Sequence, residues 1–273
     1  MWLLLAACSE PVDKEPSIAC NGHAELCDRP FDETALAFAH NAMSNEDDGW
    51  LFPNQHHGLQ RQLDDGIRGF MLDTHAWDDE HPGVYLCHGL CEIGAIPAEE
   101  AFGILSSFLD SHPHDTIALI IQPGVSAEET EAAVAASGLL DHAHVQDPGA
   151  PWPTMGELGG RAVIFTEADG GAYPWYMDAY AHSWDTNYAA KEVADFSCDV
   201  LRGDPANPLY LVNHFLTDPL PHEDLAAEAN PASVLRPRID QCEAETGDFV
   251  NWIAVDFYDV GDVLAVIDEQ NGF

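Results

Sequence analysis

"LAFAHNAMS" (residues 36–44) opens on four apolar residues, Leu36 to Ala39, and then delivers His40 and Asn41. The run has the length and composition of a buried strand, yet it stops on two side chains that bind protons and metal ions. The pattern recurs along the chain. "GFMLDTH" (69–75), "VYLCHG" (84–89), "IALIIQ" (117–122), "AVIFTE" (162–167), "LYLVNHF" (209–215) and "WIAVDF" (252–257) are short apolar runs, rich in β-branched or aromatic residues, each closing on a polar side chain.

Helical patterns lie between these runs. "PAEEAFGILSSFLDS" (97–111) places Pro97 at a first turn, acids beside the N-terminus and apolar residues at helical spacing. A second helix is expected over 127–137, with Ser126 as its N-cap. Strands alternating with helices imply a parallel sheet covered on both faces. Seven runs plus a weaker candidate near 181–186 fill an α/β fold of the (β/α)8 TIM-like barrel type. No long linker or repeat divides the chain, so residues 20–273 are expected to form one barrel domain behind a tail over 1–19.

In a parallel barrel the C-terminal strand ends meet at one face. His40, Asp73, His88, Gln122, Glu167, Asn213 and Asp256 are therefore expected to converge, two or three of them in purely structural roles. Two histidines at one rim suit a reaction in which one group takes a proton and another gives one. Asp256 is the best candidate to hold a histidine in its working tautomer. Asn41 and Asp73 offer hard oxygen ligands of the kind calcium prefers, and Gln122 or Glu167 could add another. Arg68 starts a strand at the opposite end, where an ion pair beneath the barrel is expected. The aromatic residues Tyr173, Trp175, Tyr176 and Trp184 could stack on a sugar ring, touch lipid or pack internally. Tyr173 and Trp175 are carried as substrate-binding candidates with Glu167 and Asn213.

Charge narrows the partners. The net charge is −39, from 48 acidic and nine basic residues, and the only lysines are Lys14 and Lys191. Nucleic acid is excluded as a partner, and strong adsorption to an anionic membrane is disfavoured, because both rely on basic side chains. The acidity suits solubility in a salty or calcium-containing exterior.

Seven cysteines leave six once Cys8 is set aside. Pairing by proximity joins Cys20 to Cys27, Cys87 to Cys91 and Cys198 to Cys242; a zinc site is the rival, but no CxxC pair occurs. "MWLLLAACSE" (1–10) is too short to span a bilayer, and its Leu5–Cys8 segment looks like the lipobox before the lipidated cysteine of bacterial lipoproteins. An extracytoplasmic location is expected, as a lipoprotein or a secreted monomer, with peripheral membrane contact through a lipidated Cys8.

The ordered set "AHNAMS", "NQHHGLQRQLDDGIRGFMLDTH", "VYLCHGLC", "TIALIIQPGVS", "GGRAVIFTE", "LYLVNHF" and "NWIAVDFYDVGD" resembles the phosphatidylinositol-specific phospholipase C X-domain-like phosphodiesterases. The likeness is to their secreted branch, with a cysteine before the second histidine, and it spans roughly Cys20 to Phe273. It implies a distorted or incompletely closed barrel. His40 would be the general base, removing the proton from an inositol 2-hydroxyl that attacks phosphorus, and His88 the general acid on the departing diacylglycerol oxygen. The first product would be inositol 1,2-cyclic phosphate. Asn41 and Asp73 match the calcium-dependent members. Met71 and Gln122, however, stand where glutamate ligands are expected, so weak calcium binding is expected, suited to a millimolar exterior. Two rival readings are a metal phosphodiesterase acting on soluble glycerophosphodiesters and a surface binding protein that has lost turnover.

Overall fold

A computed structural model describes residues 18–273. Cys8 and its expected lipidation lie outside the described residues. In chain order the first half comprises β1 (Leu36–Ala39), α1 (Leu59–Asp65), β2 (Gly69–Asp78), β3 (His81–Leu86), β4 (Ile96–Pro97), α2 (Ala98–Ser111), β5 (Thr116–Gly124) and α3 (Ala127–Ala136). The second half comprises β6 (Arg161–Thr166), β7 (Met177–Asp178), α4 (Ala179–His182), β8 (Ser183–Thr186), β9 (Val200–Gly203), β10 (Leu209–Asn213), α5 (Glu223–Ala229), α6 (Ala232–Thr246), β11 (Trp252–Val255) and α7 (Val263–Gln270).

The strands curl into one sheet in the order β7-β6-β5-β2-β1-β11-β10-β8-β9. Every pairing from β7 round to β8 is parallel. β7 and β8 do not pair with each other, so the barrel is incompletely closed at that side. Its cause is local: only the single turn α4 joins β7 to β8, too short to cross over and close the ring.

The run 84–89, expected as a barrel strand, is corrected by the structure. It lies in β3, antiparallel to β2, and the eighth parallel position is taken by the two-residue β7. The reason is the connection. Asp78 accepts from the backbone N–H groups of Glu80 and His81, turning the chain back at once, whereas a parallel return needs a dozen or more residues.

The parallel strands are buried on both faces, and alternate residues serve different cores. Leu36, Phe38, Ile120, Phe165, Leu211, Trp252 and Ala254 fill the barrel interior. Ala37, Ala39, Phe70, Leu72, Leu119, Ile164, Val212 and Ile253 face the helices. Gly69 belongs to this packing: a Cβ there would lie 2.1 Å from Cδ2 of Phe38, its register partner in β1.

The helix over 127–137 forms as α3 with a full capping box. Ser126 Oγ accepts from the Glu129 N–H at 3.3 Å, and the Glu129 carboxylate accepts from the Ser126 N–H at 3.0 Å. Arg68 donates to Asp115 at 2.7 Å beneath the barrel, the ion pair expected of it. Disulfides join Cys20 to Cys27, Cys87 to Cys91 and Cys198 to Cys242. Among the described residues no helix is long and apolar enough to cross a membrane.

Candidate active site

The interior parity of each strand continues past its last residue to the rim. Even numbering carries Leu36 and Phe38 on to His40, Ile120 on to Gln122, and Trp252 and Ala254 on to Asp256; odd numbering carries Met71 on to Asp73, Phe165 on to Glu167, and Leu211 on to Asn213. His40, Asn41, Asp73, His88, Gln122, Glu167 and Asn213 line a cavity of about 640 Å³ at this face, and Asp256 lies behind His40.

The centre is a hydrogen-bonded set. His40 Nδ1 lies 2.8 Å from Asp256 Oδ1, which also accepts from Asn54 Nδ2 at 3.0 Å. The ring of His40 is stacked on Phe215, with centroids 3.7 Å apart and planes 8° from parallel. Gln55 Nε2 donates to the carbonyl oxygens of His40 and Val255, at 2.8 and 3.0 Å, clasping the ends of β1 and β11. Asn41 stands at φ 46°, a left-handed conformation that asparagine tolerates better than most residues. This turn brings its Nδ2 to 3.2 Å from His40 Nε2 and 3.3 Å from His88 Nε2.

His88 reaches the rim from the loop after β3, between Cys87 and Cys91. The Cys87 N–H donates to the Asp73 carbonyl at 3.2 Å, tying this loop to β2. Although its outer side is open to solvent, His88 is hemmed in enough that burial pushes its pKa below the ordinary value, with nearby His40 acting in the same direction. Asp73 is 7% exposed, and burial pushes its carboxyl up to about 7; His40 opposes the shift and Glu167 adds to it.

Sequence reasoning missed several lining residues. Arg202 arrives on β9, antiparallel to β8, donating from Nε to Asp185 at 2.9 Å and from Nη1 to Glu167 at 3.0 Å. Burial disfavours its charge, but these two carboxylates hold the guanidinium firmly protonated. Lys191, Tyr188 and His75 also line the cavity. His75 shares the parity of Asp73 and could have been found from it, whereas Arg202 lies in a mostly exposed strand without an apolar signal.

Two expected substrate-binding residues require correction. Tyr173 and Trp175 do not line the cavity; Trp175 is buried against the core between sheet and helices, with Tyr173 packed beside it. Asn213 reaches the rim but also serves structure, its Nδ2 donating to the Thr186 carbonyl at 2.7 Å.

The oxygen donors suit a loosely held cation only. Among the described residues no three His, Cys, Asp or Glu side chains cluster as metal ligands. Glu167 is engaged by Arg202, and the Asn41 amide nitrogen faces the two imidazoles. Asp73 remains, with its register partner Gln122 beside it; a buried carboxyl that no charged group fully compensates fits a cation.

The rim of this open parallel barrel thus carries one imidazole hydrogen-bonded to a buried carboxylate and a second imidazole on the far side of the Asn41 amide. Comparison with known proteins narrows the class. The PI-PLC X family model matches residues 26–271, and the chain belongs to that family. A PI-PLC X domain-containing protein of Arthroderma benhamiae is 30% identical, over 93% of this chain and 90% of its own length. One from Arabidopsis thaliana is 26% identical over 89% of this chain and 63% of its own length. The fold is shared with the phosphatidylinositol-specific phospholipase C of Listeria monocytogenes, with TM-score 0.59, 15% identity and coverage of 90% of this chain and 96% of that one. A variant of the Staphylococcus aureus enzyme gives TM-score 0.62 at 14% identity, covering 89% of this chain and 93% of that one.

Proposed function

We propose that the protein cleaves phosphoric diesters of the phosphatidylinositol type by internal attack, with His40 as base and His88 as acid. The observation that carries this reading is the Asp256–His40 hydrogen bond with His88 on the far side of Asn41. An Asp256 carboxylate accepting from Nδ1–H leaves His40 Nε2 as the basic nitrogen, aimed into the cavity. It takes the proton of the inositol 2-hydroxyl as that oxygen bonds to phosphorus. The bond from phosphorus to the diacylglycerol oxygen breaks, and His88 delivers a proton to it. The products are inositol 1,2-cyclic phosphate and diacylglycerol, and water can later reopen the cycle with the two imidazoles in exchanged roles.

Charge on the phosphoryl oxygens is met by Arg202 and Lys191, the cationic Arg and Lys side chains lining the cavity. Calcium, when bound on Asp73 with Gln122 alongside, would supply further positive charge there. The three disulfides suit an oxidising, extracytoplasmic compartment.

Phosphorus NMR on phosphatidylinositol in mixed micelles, with calcium and with chelator, tests the reading. A cyclic inositol phosphate resonance is expected, stronger with calcium. Direct formation of a monoester from glycerophosphoinositol with no cyclic species would replace internal attack by attack of water. Absence of product from both substrates would remove the enzymatic reading.

A further inference from the structure

We propose that the groove between α6 and the segment 193–198, on which Arg238 borders, is a second anion site for a small organic carboxylate with a short apolar chain. It lies on the outer side of β10, away from the catalytic cavity, and does not depend on the reaction proposed above.

Arg238 is an anomaly of charge. It is 6% exposed, yet among the described residues no carboxylate lies within ion-pair reach of it. Its pKa is pushed down to about 9 by burial, with no acidic group opposing the shift apart from the weak pull of Tyr210. Two half-buried arginines are paired: Arg68 with Asp115 at 2.7 Å, and Arg202 with Asp185 and with Glu167 at 3.0 Å. Arg238 instead donates to two backbone carbonyls, Asn213 at 2.8 Å and Ser197 at 3.4 Å, and faces His214 Nδ1 at 3.1 Å. Its Nε has no partner. His214 offers no compensating charge: burial, then Arg238 itself, pushes that imidazole down to about 3, so it stays neutral.

Carbonyl dipoles and one ring face are a meagre return for burying a full charge. The Phe196 ring centroid lies 3.9 Å from the Arg238 Cζ, a contact weaker than the hydration the buried ion gives up. The chain has 48 acidic residues, and none of those among the described residues is placed here. What it has placed is a cavity of about 290 Å³ on which Arg238 borders. The cavity walls set the ligand class. Val193, Phe196, Val234 and Pro237 are apolar, while Ser233 and Gln241 add polar groups at α6. A planar guanidinium matches a carboxylate in geometry, and the apolar walls match a hydrocarbon chain. The net charge of −39 opposes anions at long range, so recognition must act at contact.

Calorimetric titration of the full chain with sodium hexanoate, and with n-hexanol as the uncharged counterpart, tests the site. Saturable binding of hexanoate at one equivalent is expected, at least about tenfold tighter than that of hexanol. Val234→Trp, which fills the groove and leaves Arg238 in place, should weaken hexanoate at least about tenfold. Arg238→Gln should abolish the preference for the charged ligand; because it could also unfold the protein, Val234→Trp carries the decision. Equal binding of hexanol, or no saturable heat, overturns the proposal. So does hexanoate binding that Val234→Trp leaves unchanged, which would point to Arg202 and Lys191 at the catalytic rim.

Discussion

Nδ1 of His40 and Oδ1 of Asp256 stand 2.8 Å apart, joining the ends of β1 and β11 across 216 positions of sequence. Those strands pair in parallel with Ala39 opposite Val255, so the next residue of each emerges at the rim side by side. Register alone thus builds the dyad, and Phe215 and Gln55 fix the imidazole within it.

Replacing either imidazole should stop turnover. His40→Ala and His88→Ala are each expected to lower kcat by about 10²–10⁴-fold, the usual contribution of a positioned acid or base. Asp256→Asn keeps the shape but disturbs the tautomer, and a loss on the order of 10²-fold is expected. Circular dichroism should show all three folded. Near wild-type turnover in His40→Ala or His88→Ala would remove that histidine from the chemistry and with it the two-histidine mechanism.

The pH profile should reveal the acid. His88 lies below its ordinary 6.5, so in the free protein it loses its proton as pH rises through a value lower than 6.5. The alkaline limb of kcat/KM, which reports the free protein, should therefore lie below that value. A bound diester anion favours the imidazolium, so the limb of kcat should move to higher pH. Coincident limbs, or one above about 7 that persists in His88→Gln, would assign the acid elsewhere.

The barrel was legible because short apolar runs, each closing on a polar residue, alternate with helical patterns, and in a parallel barrel such strand ends meet at one face, as His40, Asp73, Gln122, Glu167, Asn213 and Asp256 do. The β3 hairpin could have been read as well, since too few residues separate it from β2 for a parallel crossover. What stayed hidden enters from outside the parallel strands. Arg202 rides an edge strand with the exposed pattern of a surface segment, and Asn54 and Gln55 lie in a loop after β1. Their partners are distant in sequence, and no local pattern encodes them. Trp175 shows the converse: an aromatic in a polar loop is as ready to fill a core as to meet a sugar.

Asp73 should act as a stability sensor. Its folded pKa of about 7 lies above the ordinary carboxyl value of 3.8, so the folded state keeps a proton that the unfolded state releases. The stability it contributes is fully present below about pH 3.8 and is lost as pH rises through about 7. In chelator, Asp73→Asn should match the wild type near pH 4 and exceed it by a few kcal/mol near pH 8. Calcium should raise the wild-type Tm at the higher pH and leave that of Asp73→Asn unmoved. If calcium stabilises both equally, its ligand is not Asp73.

Arg202 holds two carboxylates at once and also borders the cavity, so its structural and substrate roles must be separated. Arg202→Met strands Asp185, which is 1% exposed, and should destabilise the fold by about 3–5 kcal/mol, as breaking a buried pair does. The triple variant Arg202→Met, Asp185→Asn, Glu167→Gln removes the stranded charges and should recover most of that stability. It leaves Lys191 as the remaining Lys or Arg side chain lining the cavity among the described residues, so it should keep a KM at least about tenfold above wild type. Arg202→Lys preserves a charge without the planar fork, and its KM should fall between the two. Should the triple variant regain both stability and wild-type KM, Arg202 serves the fold alone, and the phosphate must find its positive charge at Lys191 or on a bound cation.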